Sequence, residues 1–139
     1  LKMYKNLIKE KERYIFMVDR EIYYRGTVEF SHHCQAGWRS HTSTVIVQQI
    51  SPRMGVIVQS DGGGQYRRSN RQWYPVARVA EEEVGKKIQL SRVISDADTA
   101  AKLYEMIDKE FKKKLPDYER IDFIYGRIAQ HPNFAGFKR

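Results

Sequence analysis

Arginine and aromatic residues cluster around a run of glycines in residues 62–75, which read GGGQYRRSNRQWYP. Arginine supplies bidentate hydrogen bonds to phosphate, aromatic rings stack on bases, and glycine lets a backbone approach an anion closely. The sequence therefore predicts an Arg/aromatic sheet surface that contacts nucleic acid or a nucleotide. Its predicted members are Tyr66, Arg67, Arg68, Arg71 and Trp73, with Arg25, Trp38 and Arg39 as secondary contacts.

The same segment lacks one well-known phosphate-binding motif and has a structural alternative. The glycines are not followed by Gly-Lys-Ser or Gly-Lys-Thr, so the segment is not a P-loop. A glycine-rich hairpin whose aromatic residues pack into the core is the alternative.

A second cluster, residues 31–44, holds three of the four histidines and the only cysteine. His32, His33 and His41 could exchange protons with a phosphodiester without a metal, because histidine titrates near neutral pH. Zinc bound by His32 or His33, Cys34 and His41 is a further option, although the spacing matches no zinc-finger pattern. A polar loop between strands is the plain alternative. We expect no metal and no cofactor.

Composition and charge set the wider frame. The chain has 139 residues, a length typical of one domain, and a net charge of +8. Apart from Lys138, the lysines lie in residues 2–11 and 86–114, while residues 13–85 carry nine arginines and no lysine. Residues 1–11 are interpreted as a basic N-terminal arm. We expect no membrane segment and an intracellular location, in the cytoplasm with the nucleoid or nucleus as alternatives.

Hydrophobic periodicity predicts five to seven short strands between residues 13 and 94. Alternation of apolar and polar residues marks residues 22–30, and valine and isoleucine mark 44–50 and 55–60, joined by a turn at 51–54. Residues 14–18, 75–80 and 86–94 are further strand candidates. The run Glu81-Glu82-Glu83 is interpreted as a solvated surface.

The C-terminal third changes period. Ser95 and Asp98 have the spacing of a capping box, and apolar residues then recur at helical spacing, which predicts a helix over residues 96–115. Residues 118–128 fit a helix or a strand, and 130–139 are interpreted as a loop or tail in which His131 has no interpretable partner. The expected fold is α+β, a mainly antiparallel sheet with the helix packed on one face.

The first functional prediction is a binding module for RNA, DNA or an anionic nucleotide, without catalysis of its own. The alternative is a small metal-independent phosphodiesterase or ribonuclease that uses the three clustered histidines. A third option is a protein inhibitor of a nucleic-acid enzyme, which would make another protein the partner. Exposed edges of an antiparallel sheet also leave a homodimer open.

Overall fold

The computed structural model describes residues 20–34, 37–63, 66–67, 73–74 and 76–138, with only the backbone for 32–34, 37–39, 66–67, 73–74 and 76–77. The predicted strand at 14–18 and the predicted arm at 1–11 lie outside these residues. The elements, in chain order, are β1 Glu21–Cys34, β2 Gly37–Gln49, β3 Met54–Ser60, β4 Tyr66–Arg67, β5 Trp73–Tyr74, α1 Val76–Glu83, β6 Lys87–Gln89, a 3-10 turn Leu90–Arg92, α2 Ala97–Phe111, α3 Tyr118–Ala129 and β7 Phe134–Lys138.

Five of the strands form one antiparallel sheet in the order β6-β3-β2-β1-β7. The α+β prediction is confirmed, and so is the hairpin between β2 and β3. Strands β1 and β2 are long rather than short, since their register continues from Tyr23↔Gln48 to Cys34↔Gly37. The pair β4 and β5 forms a separate two-stranded sheet.

One side of the sheet faces the core. Tyr24 and Val28 of β1 are buried, whereas Arg25, Thr27 and Glu29 between and beyond them are exposed, as the period-two pattern predicts. These inward residues form one hydrophobic cluster with buried residues of α2 and α3. The shared cluster is consistent with packing of the long helix on the sheet.

Three local predictions are wrong. Residues 76–83 form helix α1 instead of a strand and a solvated run, because alanine and glutamate favour a helix once the inward side of the segment has a sheet to pack on. The segment 86–94 is a strand only at Lys87–Gln89 and then becomes the 3-10 turn. The supposed tail contains β7, which pairs with the start of β1 and places Phe134 and Phe137 against the core.

The predicted long helix is present as α2, but its capping box is not. The N-cap residue is Asp96, with φ of 55°, and its side chain makes no cap hydrogen bond. Asp98 instead accepts a hydrogen bond from Arg53 at 2.8 Å. The ambiguous segment 118–128 is helical, and Asp117 caps α3 by accepting from the backbone N–H of Arg120.

The sheet curls so that its β6 side approaches β1, although two strands separate them in the sheet order. A Cβ at Gly26 of β1 would lie only 1.9 Å from the carbonyl oxygen of Val93, which follows the 3-10 turn. In addition, the Arg92 Nη2 donates to the Glu29 carbonyl oxygen at 3.2 Å. Side chains of β1 and β6 consequently face each other across a groove.

Candidate functional site

A buried carboxylate connects His41 of β2 to Ser60 at the end of β3. The Glu83 side chain, at the end of α1, is 4% exposed, and its Oε1 lies 2.6 Å from His41 Nε2. Ser43 donates to the same Oε1 at 3.1 Å, and Ser60 donates to Oε2. A buried carboxylate is stable only when it is hydrogen-bonded or paired, and these three partners meet that need. The prediction that Glu83 is solvated is therefore wrong.

His41 lies where the two sequence-predicted clusters meet. It pairs with Phe30 in the register and stacks on that ring, with centroids 5.7 Å apart. Gly63, in the glycine turn, has φ of +77°, and a Cβ there would lie 2.7 Å from His41 Cδ2 and from the Thr42 carbonyl oxygen. Only glycine allows the turn to approach the strand this closely.

The glycine turn is fastened to β2 by one aspartate. Asp61 Oδ1 accepts hydrogen bonds from the backbone N–H groups of Gly63 and Thr44, both at 2.9 Å. These N–H groups, that of Gly63 first, lower the pKa of the Asp61 carboxyl, because they stabilise its charged form. Asp61 therefore holds the glycine turn against β2 through these hydrogen bonds from backbone N–H groups.

Both serines of this buried network direct their hydroxyl groups to the carboxylate. A serine nucleophile directs its hydroxyl proton to a histidine, whereas Ser43 and Ser60 both donate to the Glu83 carboxylate. The His41 side chain is also only 12% exposed. The network ties α1 to β2 and β3.

The other two clustered histidines sit further along the hairpin. His32 and His33 are register partners of Arg39 and Trp38, beyond the Phe30↔His41 pair. Their side chains, and that of Cys34, lie outside the described part of the chain, so both the acid–base hypothesis and the zinc option stay predictions. Among the described residues, no group of three or more His, Cys, Asp or Glu side chains is placed to hold a metal ion.

The predicted Arg/aromatic surface is described only in part. Arg67 and Trp73 are register partners in the β4–β5 pair, and Tyr66 pairs with Tyr74. Of this surface, only Arg25 has a described side chain, which is exposed on β1. Arg68 and Arg71 lie outside the described residues, and Arg67, Tyr66, Trp73, Trp38 and Arg39 are described as backbone alone.

Sequence reasoning missed a cationic groove of about 360 Å³ between β1 and β6. Its lining residues are Glu29, Phe30, Ser31, Ile57, Lys86, Lys87, Ile88 and Arg92. The lining thus carries three cationic side chains and one carboxylate. The signal in the sequence was the pattern Lys86-Lys87-Ile88, in which two lysines come directly before a buried apolar residue of β6.

Phe30 and Lys86 are close within the groove. The Lys86 Nζ lies 6.0 Å from the centroid of the Phe30 ring, and the same ring stacks on the His41 imidazole. Neither Lys86 nor Lys87 forms an ion pair with a carboxylate of the described part of the chain. Their charges are consequently not neutralised by those carboxylates.

The lysine-rich end of α2 differs from the groove because one of its lysines is paired with a carboxylate. Lys113, just after that helix, lies 3.0 Å from the Glu110 carboxylate, as expected for a charged face that balances itself.

No protein family model, no curated protein and no solved structure matches this chain. None of the described helices is both long and apolar enough to cross a membrane.

Proposed function

We propose that the protein binds nucleic acid or another phosphate-bearing ligand, without catalysis of its own. The observation that carries the proposal is the groove between β1 and β6, whose lining includes Lys86, Lys87 and Arg92 together with the Phe30 ring. The Arg/aromatic segment at 62–75 would extend this contact surface.

Charge supports a polyanionic ligand. The groove holds three cations against Glu29, and the whole chain carries +8. A nucleic acid carries one negative charge per phosphate, and each phosphate neutralised by lysine or arginine releases condensed counterions. Binding driven in this way weakens steeply as salt rises.

The structure also bears on the enzymatic alternative. A general acid or base must reach the proton that it transfers. The Nε2 of His41, the one clustered histidine with a described side chain, lies 2.6 Å from a buried carboxylate, which favours a structural role. Cleavage of RNA in EDTA that is abolished by His41→Ala would instead support the phosphodiesterase.

The test is fluorescence anisotropy with labelled single- and double-stranded oligonucleotides at about 50 mM and about 200 mM salt. We expect Lys86→Ala combined with Lys87→Ala to weaken binding and to lower the salt slope by about 0.7–0.9 for each phosphate that the variant no longer neutralises. The matched control is Lys102→Ala with Lys109→Ala, which removes two exposed lysines from α2, outside the groove.

Two results of this binding experiment would contradict or redirect the proposal. Absence of binding at low salt, or an equal loss of affinity in the groove variant and the α2 control, contradicts the proposal. Loss of binding in Arg67→Ala with Arg68→Ala, but not in the groove variant, would place the ligand on the Arg/aromatic segment instead.

A further inference from the structure

Beside the lysines, the backbone edge of β1 that borders the groove pairs with no strand of the described part of the chain. Strand β7 pairs with β1 only as far as Tyr24, and the backbone of Arg25 is then bonded to Asn133. Further along, the Glu29 carbonyl oxygen accepts from Arg92 and therefore points away from β2.

Strand geometry extends this observation to Ser31. In an antiparallel pair, the N–H and C=O groups of one residue point to the same side, and every second residue repeats that direction. The register of β1 with β2 is unbroken from Tyr23 to Cys34. The backbone groups of Ser31 therefore point, like those of Glu29, to the side away from β2.

The Ser31 groups and the Glu29 N–H are not engaged by any described residue. Within the described ranges, two N–H donors and one carbonyl acceptor are thus unpaired along this edge, and Glu29 and Ser31 both line the groove.

From these features we infer that the groove binds a single-stranded nucleic-acid segment in preference to a duplex. The inference rests on the proposed function and names its ligand class. Lys86, Lys87 and Arg92 contact the phosphate, and the open edge at Glu29 and Ser31 hydrogen-bonds the polar edge of an unpaired base. In a duplex those base edges are already paired, whereas a single strand presents them.

The dimensions of the groove agree with this ligand. A volume of about 360 Å³ is at the lower end of the range of about 300–1,000 Å³ for small-molecule sites. One nucleotide unit enters a space of that size, while a duplex touches only its rim. The half-buried Phe30 ring adds an apolar surface for the flat face of a sugar or base.

An acidic extended peptide is the competing occupant, since it could add to the strand edge with its carboxylates near the lysines. The combination of the Phe30 ring with cations at one wall and polar backbone groups at the other favours a nucleotide. The peptide is kept as an outcome of the test.

The test compares Ser31→Pro with Ser31→Ala. Proline removes the Ser31 N–H and is tolerated on a strand edge whose N–H faces away from the neighbouring strand. Alanine removes only the hydroxyl. Anisotropy is measured with a labelled single strand, with the duplex of the same sequence and with a labelled short polyglutamate peptide, and circular dichroism checks the fold of each variant.

We expect the single strand to bind more tightly than the duplex. Ser31→Pro should weaken single-strand binding about two- to tenfold, the effect of one hydrogen bond, while Ser31→Ala leaves it unchanged. If Ser31→Pro fails to fold, Glu29→Gln provides the test. Removal of the one carboxylate that lines the groove should tighten single-strand binding more than duplex binding. Glu119→Gln on α3 is the control.

Contrary results separate the inference from the proposed function. Equal binding of duplex and single strand, or no effect of folded Ser31→Pro, overturns the inference, and the proposed function stands if the Lys86 and Lys87 variant still weakens binding. Absence of all oligonucleotide binding at low salt overturns both. Peptide binding that is sensitive to Ser31→Pro, without oligonucleotide binding, assigns the groove to a protein partner.

Discussion

The His41 Nε2 lies 2.6 Å from Oε1 of Glu83, so a histidine of the long hairpin is bound to a buried carboxylate 42 residues away in the chain. Two serines complete the shell of that carboxylate. The contact holds helix α1 against β2 and β3 and brings the glycine turn beside the histidine.

Loss of the buried carboxylate should destabilise the fold strongly. Glu83→Ala leaves His41, Ser43 and Ser60 without their shared partner, and each buried polar group left unsatisfied costs about 1–3 kcal/mol. We expect a fall of that size in the free energy of unfolding, measured by urea denaturation. Glu81→Ala, an exposed position on the same helix, should change it by less than about 0.5 kcal/mol. Equal effects of the two substitutions would contradict the network.

Substitution of the turn glycine should cost more than backbone strain alone. Gly63 and Gly85 both have positive φ, but a Cβ at Gly63 meets His41 and the Thr42 backbone, whereas a Cβ at Gly85 meets nothing within 4 Å. Gly85→Ala should cost about 1–3 kcal/mol of unfolding free energy from strain. Gly63→Ala should exceed it in the same denaturation experiment. A smaller effect at Gly63 would show that the turn can move away from His41.

Two buried tyrosines should respond in opposite directions to removal of their hydroxyl groups. The Tyr24 hydroxyl is buried without a hydrogen-bond partner among the described residues, and burial raises its pKa to about 12. The Tyr125 hydroxyl accepts from the Arg20 backbone N–H at 3.3 Å. Tyr24→Phe should therefore leave the thermal midpoint unchanged or raise it, because an unsatisfied polar group is removed.

Tyr125→Phe is the matched comparison and should lower the free energy of unfolding by about 1 kcal/mol, the net value of one hydrogen bond. A clear loss of stability in Tyr24→Phe would mean that its hydroxyl has a partner.

The Asp61 carboxylate should make stability depend on acid pH. Its folded-state pKa lies below the usual value of about 3.9, because the Gly63 and Thr44 N–H groups stabilise the charge. The stabilisation is therefore fully present above about pH 3.9 and is lost as the pH falls through the lower folded-state pKa. Unfolding of the native chain and of Asp61→Ala, compared across this range, should show a difference that is constant near neutral pH and shrinks in acid. A difference that grows in acid would contradict the sign of the shift.

Local sequence patterns were sufficient for much of the fold. Alternation in residues 22–30 and the turn at 51–54 correctly predicted half-buried strands and a hairpin, and the apolar spacing from Ala100 to Phe111 correctly predicted α2. These features depend on side-chain periodicity, which is a local property. Short segments were ambiguous, and 76–80 became a helix although its valines and alanines also fit a strand.

The candidate site depends instead on contacts between residues that are far apart in the chain. The sequence by itself determined the α+β class, the excess of positive charge, the run of glycines and the separate cluster of histidines. Only the tertiary structure decided that Glu83 is buried, that His41 is bound to it, and that Lys86 and Arg92 line one groove with residues of β1. These relationships arise from the curl of the sheet and from contacts between residues far apart in the chain, and neither periodicity nor residue type encodes such contacts locally.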